Sequence, residues 1–392
     1  MSDRPKPSHG ARALSALLRV LLLPWIFGVG GLALLLAIVA ESASGGLCGL
    51  GFLSGSIGVT ILLLAGGLDW PRARWLGLGV SGLGLVFLAA SAALAPSGKP
   101  AEDSALQSTF SKRQFCRFSV ANLVPEIDQF TLGSYLVPLL DPHIDHAQSY
   151  RLRGLFQGVY RRLRRDKNFA EVGSVMNYAY RHVFFVLPQD TGHQYSYIPD
   201  QRAESLPVII FMHGAGGNFK GYMWVLKALA DQHGLAIIAP SLGMGTWPEA
   251  GTHDCIRQAL ATCANDARLD ESRVYLAGLS NGGIALSRSA PFADELQGFI
   301  GISPVLHRQA FEDRAFISAW SGKPVLLLHG SQDRRIPMST VIAAGSAMRG
   351  GGVAVTTELF DREDHFLFFS QQEAVLDAIW TWIEADEPVE IQ

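Results

Sequence analysis

Gly278-Leu279-Ser280-Asn281-Gly282 has the G-x-S-x-G spacing of a serine held on a sharp strand-to-helix turn. The strand-like run Arg273–Ala277 precedes it and a helix-forming run from Ile284 follows. The flanking glycines are required because a side chain at either place would collide with the neighbouring strand or helix. Serine is a weak nucleophile until a base takes its proton, and the base needs a carboxylate to fix its tautomer. His365, in Asp361-Arg362-Glu363-Asp364-His365, is the expected base, and Asp333, in Leu328-His329-Gly330-Ser331-Gln332-Asp333, the expected acid. Asp361 and Asp364 are the alternatives for the acid. Two backbone N–H groups must hold the oxyanion. Asn281, the residue after the nucleophile, supplies one; Ala215, with Gly216 as second choice, supplies the other from the loop His213-Gly214-Ala215-Gly216-Gly217. His213 is expected to brace that loop rather than react.

These residues need a frame that places them at one edge. Strand-like runs at Val208–Met212, Leu235–Ala239, Val274–Ala277, Gly298–Ile302, Val325–Leu328 and Ala354–Leu359 alternate with helical patterns around Tyr222–Gln232, Thr252–Ala264, Ser339–Met348 and Gln371–Ile383. Fully apolar strands separated by helices predict an α/β class with a mostly parallel sheet covered on both faces. Chemistry then lies beyond the carboxyl ends of the strands, where every candidate above falls. Before the alternation, His182–Leu187 and Tyr195–Ile198 flank Pro188-Gln189-Asp190-Thr191-Gly192 and read as a hairpin.

The chain order serine, aspartate, histidine and the pair His213–Asn218 and Gly278–Gly283 resemble α/β-hydrolase serine esterases, in particular the group of feruloyl esterases and polyhydroxybutyrate depolymerases. The resemblance covers about residues 180–385. It implies an α/β-hydrolase fold and hydrolysis of carboxylic esters through an acyl-enzyme, with no cofactor and no metal. The N-terminal apolar part and the segment 96–180 have no counterpart in that group.

Up to Ala95 the chain is mostly Leu, Gly, Ala, Val and Ser. The runs Val20–Ala40, Leu47–Leu68 and Trp75–Ala95 contain no charge, and each is long enough to cross a hydrocarbon core as a helix. They predict a three-helix membrane anchor with short connections at Glu41–Gly46 and Asp69–Arg74. Glycines at Gly45/Gly49, Gly51/Gly55, Gly77, Gly79, Gly82 and Gly84 would let the helix backbones approach closely. Six basic residues (Arg4, Lys6, Arg12, Arg19, Arg72, Arg74) stand on one side of the spans, against Lys99, Lys112, Arg113 and Arg117 on the other. That bias puts the N-terminus in the cytoplasm and the large domain outside. The net charge of −3 hides a division: beyond residue 95 the chain holds 26 basic and 32 acidic residues, which gives no footprint for nucleic acid.

The expected organisation is an anchor over 1–95, a linker and amphipathic helical region over 96–180, and a catalytic domain over 181–392. In the middle region Leu152, Leu155, Phe156, Val159, Tyr160 and Leu163 share one helical face, with arginines around the rest. Docking on the catalytic domain and lying on an anionic membrane surface are its two readings, the first favoured. Asp141, His143, Asp145 and His146 read as a polar loop rather than metal ligands. A bridge from Cys116 to Cys255 or Cys263 stays open, whereas Cys255 and Cys263 are too far apart on one helix to pair with each other. The expected function is a membrane-anchored serine hydrolase acting on a small-molecule or lipid ester. The alternatives are an acyltransferase or peptidase with the same triad, or a non-catalytic membrane interaction protein.

Overall fold

In the computed structural model, residues 26–68, 70–112, 114–185, 191–199 and 204–386 are described. They fall into two compact units. One comprises the described residues up to Ala95 together with Leu123–Leu136; the other comprises those of Pro96–Asn122 and those from Val137 onward.

The first unit contains helices α1 (Ile26–Val39), α2 (Ala43–Leu68) and α3 (Pro71–Leu94). Two of them, not clearly three, are long and apolar enough to cross a membrane: α2 over Ala43–Ala65, and α3. Helix α1 is shorter, and Val20–Trp25 of the expected first span lie outside the described residues. Pro71 opens α3, where a missing N–H costs nothing. Part of the glycine series does work between helices. A Cβ at Gly49 would lie 2.6 Å from Ala37 N, and one at Gly84 would lie 2.8 Å from Gly51 O. Gly55, Gly79 and Gly82 face open space. The Asp128 carboxylate is buried and accepts the N–H groups of Glu41 (2.5 Å) and Ser42 (3.2 Å) and the Ser42 hydroxyl, ahead of the first turn of α2.

The second unit is built on an eight-stranded sheet in the order β1-β2-β4-β3-β5-β6-β7-β8. The strands are β1 (Leu106–Phe110), β2 (His193–Tyr197), β3 (Leu206–Met212), β4 (Ala236–Ser241), β5 (Leu269–Leu279), β6 (Gly298–Ile302), β7 (Pro324–Gly330) and β8 (Ala354–Phe360). From β4 to β8 all pairings are parallel; β1–β2 and β2–β4 are antiparallel. The α/β class and the mostly parallel sheet therefore stand as expected, with all six alternating strands in place. Strands β3, β4 and β6 are buried along their whole length, which is why they read as unbroken apolar runs. Their inward residues share a core with Trp247, Phe299, Phe311 and Trp320.

The expected hairpin is not formed. Met176–Phe185 is a helix instead, and residues 186–190 lie outside the described ones. A short apolar run fits either period. Here the helical pattern begins upstream, where Met176 and Ala179 are buried. The antiparallel partner of β2 is β1, from within 96–180, in the register Leu106↔Tyr197 to Phe110↔His193.

That region also supplies helix α4 (His146–Leu163). Asp145 caps it through a reciprocal pair with Gln148, which accounts for the polar loop there. Phe156, Val159, Tyr160 and Leu163 are buried, so the apolar face docks within this unit. Among the described residues no cluster of side chains has metal-binding geometry. All four cysteines are free thiols, with Cys116 exposed and the other three buried.

Candidate active site

Ser280 sits at the end of β5 with φ of 52°, a left-handed conformation uncommon for a residue with a Cβ. The surroundings enforce it. Its N–H donates to Ile302 O at 3.0 Å, and its carbonyl accepts the N–H of Val305 (2.8 Å) and Gly283 (2.9 Å). A Cβ at Gly278 would lie 2.5 Å from Gly282 O, and one at Gly282 would lie 2.1 Å from Met212 O. Both contacts are with backbone that cannot retreat, so the glycines are steric requirements of the turn.

His365 Nε2 lies 3.0 Å from Ser280 Oγ, and its Nδ1 lies 2.7 Å from Asp333 Oδ2. A carboxylate only accepts, so Nδ1 carries the proton and Nε2 turns its lone pair to the serine hydroxyl. Asp333 Oδ1 accepts the N–H of Arg335 at 2.8 Å and of Ile336 at 2.9 Å. Burial alone would push the Asp333 carboxyl up. The hydrogen bond and charge of His365, with the Ile336 N–H, outweigh it and hold the group below its ordinary range. The other two acidic candidates point elsewhere. Asp364 pairs with Arg151 and accepts from Phe366 N, while Asp361 is exposed beside Arg362.

Behind the acid, His329 is fully buried, and its Nε2 is 2.9 Å from Ile336 O and 3.9 Å from Asp333 Oδ2. Burial lowers its pKa, and the nearby Asp333 charge only partly offsets this. A neutral His329 donates from Nε2 to the Ile336 carbonyl and fixes the turn that carries Asp333.

The loop after β3 is held just as firmly. His213 Nδ1 lies 2.8 Å from Gly214 O, and its Nε2 accepts the Leu242 N–H at 3.1 Å. The ring is wholly buried, which lowers its pKa to about 4, so it serves as a neutral brace. Asn218 Nδ2 donates to Ala239 O (2.8 Å) and Ser241 Oγ (3.0 Å). Ser241 in turn meets His193 Nδ1 at 2.7 Å. Burial lowers His193 to about 3. Of the expected oxyanion donors, Gly216 is corrected: its N–H already donates to Met244 O at 3.1 Å. Among the described residues the N–H groups of Ala215 and Asn281 donate no hydrogen bond. This loop lies against the serine, since a Cβ at Gly214 would stand 3.3 Å from Ser280 Cβ.

Sequence reasoning passed over the segment after β4 that wedges this loop. Gly245 (φ 76°) lets its backbone close on Gly214, where a Cβ would stand 2.4 Å from Gly214 O. Trp247, buried with φ of 48°, donates from Nε1 to His213 O at 2.9 Å. The signal available was Gly243-Met244-Gly245-Thr246-Trp247, a glycine-paired turn ending in a large aromatic directly after a buried strand.

The chain matches no family model. It is similar to a bifunctional acetylxylan esterase/xylanase of Neocallimastix patriciarum, 31% identical over 94 residues, which is 22% of this chain and 14% of that protein. It is also similar to an esterase of Mycobacterium tuberculosis, 27% identical over 129 residues, 33% of this chain and 43% of that one. The chain thus spans less than half the length of these curated relatives. Among solved structures, Est1E of Butyrivibrio proteoclasticus overlaps 50% of this chain and 100% of its own at 16% identity and a TM-score of 0.40. A hyperthermophilic esterase of Pyrobaculum calidifontis overlaps 50% of this chain and 84% of its own at 15% identity and a TM-score of 0.42.

Proposed function

We propose that this chain is a serine hydrolase of carboxylic esters on an α/β-hydrolase frame, with Ser280 as nucleophile, His365 as general base and acid, and Asp333 as orienting carboxylate. The observation that carries the reading is the continuous relay from Ser280 Oγ through His365 to Asp333, at 3.0 and 2.7 Å. Two curated relatives whose names include esterase support the substrate class.

In acylation Ser280 Oγ attacks the ester carbonyl carbon as its proton passes to His365 Nε2. The N–H groups of Asn281 and Ala215 hold the developing oxyanion. The carbon–oxygen bond to the alcohol breaks, and the departing alkoxide takes the proton from His365. Water then attacks the acyl-enzyme and gives a proton to His365. Breakdown releases the carboxylic acid and returns the proton to Ser280. Asp333 stays ionised throughout and stabilises the imidazolium.

Helices α2 and α3 are proposed to anchor the chain in a membrane, with the charge bias placing the catalytic domain outside the cytoplasm.

The test is labelling by a fluorophosphonate probe together with turnover of p-nitrophenyl acetate, in the full chain and in Ser280→Ala. Both are expected in the native chain and absent from the variant. A folded native chain that neither labels nor turns over rejects the reading. Formation of a new ester from added alcohol in place of acid would turn it toward acyl transfer.

A further inference from the structure

The loops carrying the acid and the base, together with the exit of the oxyanion loop, are gripped by one segment that contains none of the reacting groups. Asp141 Oδ2 meets the Arg335 guanidinium at 2.9 Å, and the backbone N–H of that same Arg335 donates to Asp333 Oδ1. Ten residues on, in the first half of α4, Arg151 reaches Glu363 Oε2 at 3.0 Å and Asp364 Oδ2 at 3.3 Å, the two residues immediately before His365. One turn further Phe156 packs on Phe369 with ring centroids 4.6 Å apart. Near the end of α4 the Tyr160 hydroxyl accepts the N–H of Gly221, in the first turn of helix Lys220–His233 that follows the oxyanion loop.

We propose that Asp141–Leu163 is a strap that sets the mutual position of the three catalytic loops, with Asp141 and Arg151 as positioning residues; the inference rests on the serine-hydrolase reading of the site. The strap is suited to the task. Its helix is capped at the N-terminus by the Asp145–Gln148 pair and seated on a buried apolar face, so it behaves as a stiff bar. The loops it joins are already laced to each other. Gln332 N donates to Glu363 O at 2.9 Å, and the Glu363 carboxylate also accepts from Ser370 Oγ (2.6 Å) and Gln371 Nε2 (2.7 Å). Glu363 is therefore a junction through which a movement of Arg151 reaches His365.

In the Arg151 pairs the guanidinium keeps access to solvent, and the Arg335–Asp141 pair is half-buried, so each adds only modestly to stability. Their effect belongs instead to geometry, because a displacement near 1 Å between base and nucleophile lowers the rate about a hundredfold. This separates the strap from ordinary surface charge: its loss should appear in kcat and not in melting.

The experiment uses the full chain with Asp141→Arg, Arg335→Asp, the exchanged pair D141R/R335D, Arg151→Ala, and the milder Asp141→Asn should the reversal not fold. Each single variant is expected to lower kcat for p-nitrophenyl acetate about tenfold with KM within about twofold, while melting stays within about 2 °C. The exchanged pair should recover to within about threefold of the native kcat. In Arg151→Ala, amide hydrogen exchange over residues 361–366 should quicken about tenfold. Single variants at native kcat, or an exchanged pair no better than either single, would overturn the strap. If the native chain neither turns over nor labels, the ester-hydrolase reading fails by itself, and the exchange measurement still decides whether the strap holds the loop.

Discussion

Asp128 in one unit and Asp333 in the other are both buried and both accept backbone N–H groups, yet they do different things. Asp128 accepts the N–H groups of Glu41 and Ser42 and the Ser42 hydroxyl, all from the turn that leads into α2. Asp333 gives one oxygen to the N–H groups of its own turn and keeps the other for His365. The first carboxylate is committed to its frame. The second is held by its frame and aimed at His365, which the proposed reaction would charge. Glycine divides in the same way: Gly49 and Gly84 let one helix lie against another, whereas Gly278 and Gly282 let a strand turn sharply enough to present a side chain.

The largest effect should come from breaking the second aspartate. Asp333→Asn keeps the shape but favours the wrong His365 tautomer, so kcat should fall by about 10⁴ with melting little changed, as read by steady-state kinetics and calorimetry. Next, Gly282→Val would push a side chain into Met212 O; turnover should drop at least about a hundredfold and the elbow should loosen. Its counterpart Gly84→Val should leave kcat within about twofold while weakening the packing of α2 on α3, visible as faster proteolysis in detergent. Asp128→Asn is expected to cost about 1–3 kcal/mol of stability in chemical denaturation and to spare ester turnover. An Asp128→Asn variant that lost activity without unfolding would erase the distinction between the two carboxylates.

A further difference is a dependence of stability on pH that belongs to the sheet unit. His193 and His213 are held neutral by burial, with pKa lowered to about 3 and about 4. Between an unfolded value of about 6.5 and those folded values, the unfolded chain binds protons that the folded chain does not. Stability is therefore unaffected by these groups above pH 6.5 and falls as pH drops, by at most about 1.4 kcal/mol per pH unit for each. Asp333, depressed in the fold, adds loss in the same direction at still lower pH. Denaturant melts of His193→Gln between pH 4 and 7 should show a shallower slope than the native chain; an identical slope would reject its buried neutral form.

How much of this was legible follows from how each feature is encoded. Five of the six parallel strands could be read because each is buried along most of its length and leaves an apolar run, whereas β8, Ala-Val-Thr-Thr-Glu-Leu-Phe at the edge of the sheet, is exposed or half-buried throughout. The elbow and its partners could be read because the chemistry restricts residue type at fixed places after those strands. Strand β1 could not: Leu106-Gln107-Ser108-Thr109-Phe110 has apolar residues only at its ends, and its place is set by pairing with β2. The run around His182 was misread because the residues that decide its period lie upstream. Whether Ala215 or Gly216 could serve the oxyanion depended on Met244, which takes the Gly216 N–H from a loop beyond a different strand. The contacts of Asp141 and Arg151 join residues about 200 positions apart, and no local pattern announces them.

The left-handed backbone at Ser280 has a consequence for the molecule's endurance. A residue with a Cβ is held there against its preference, a conflict of about 1 kcal/mol that glycine would not feel. The inert variant Ser280→Gly should then outlast the native chain in a thermal challenge. The angle that strains Ser280 is the same one that presents its hydroxyl to His365, so relieving the first by Ser280→Gly removes the second.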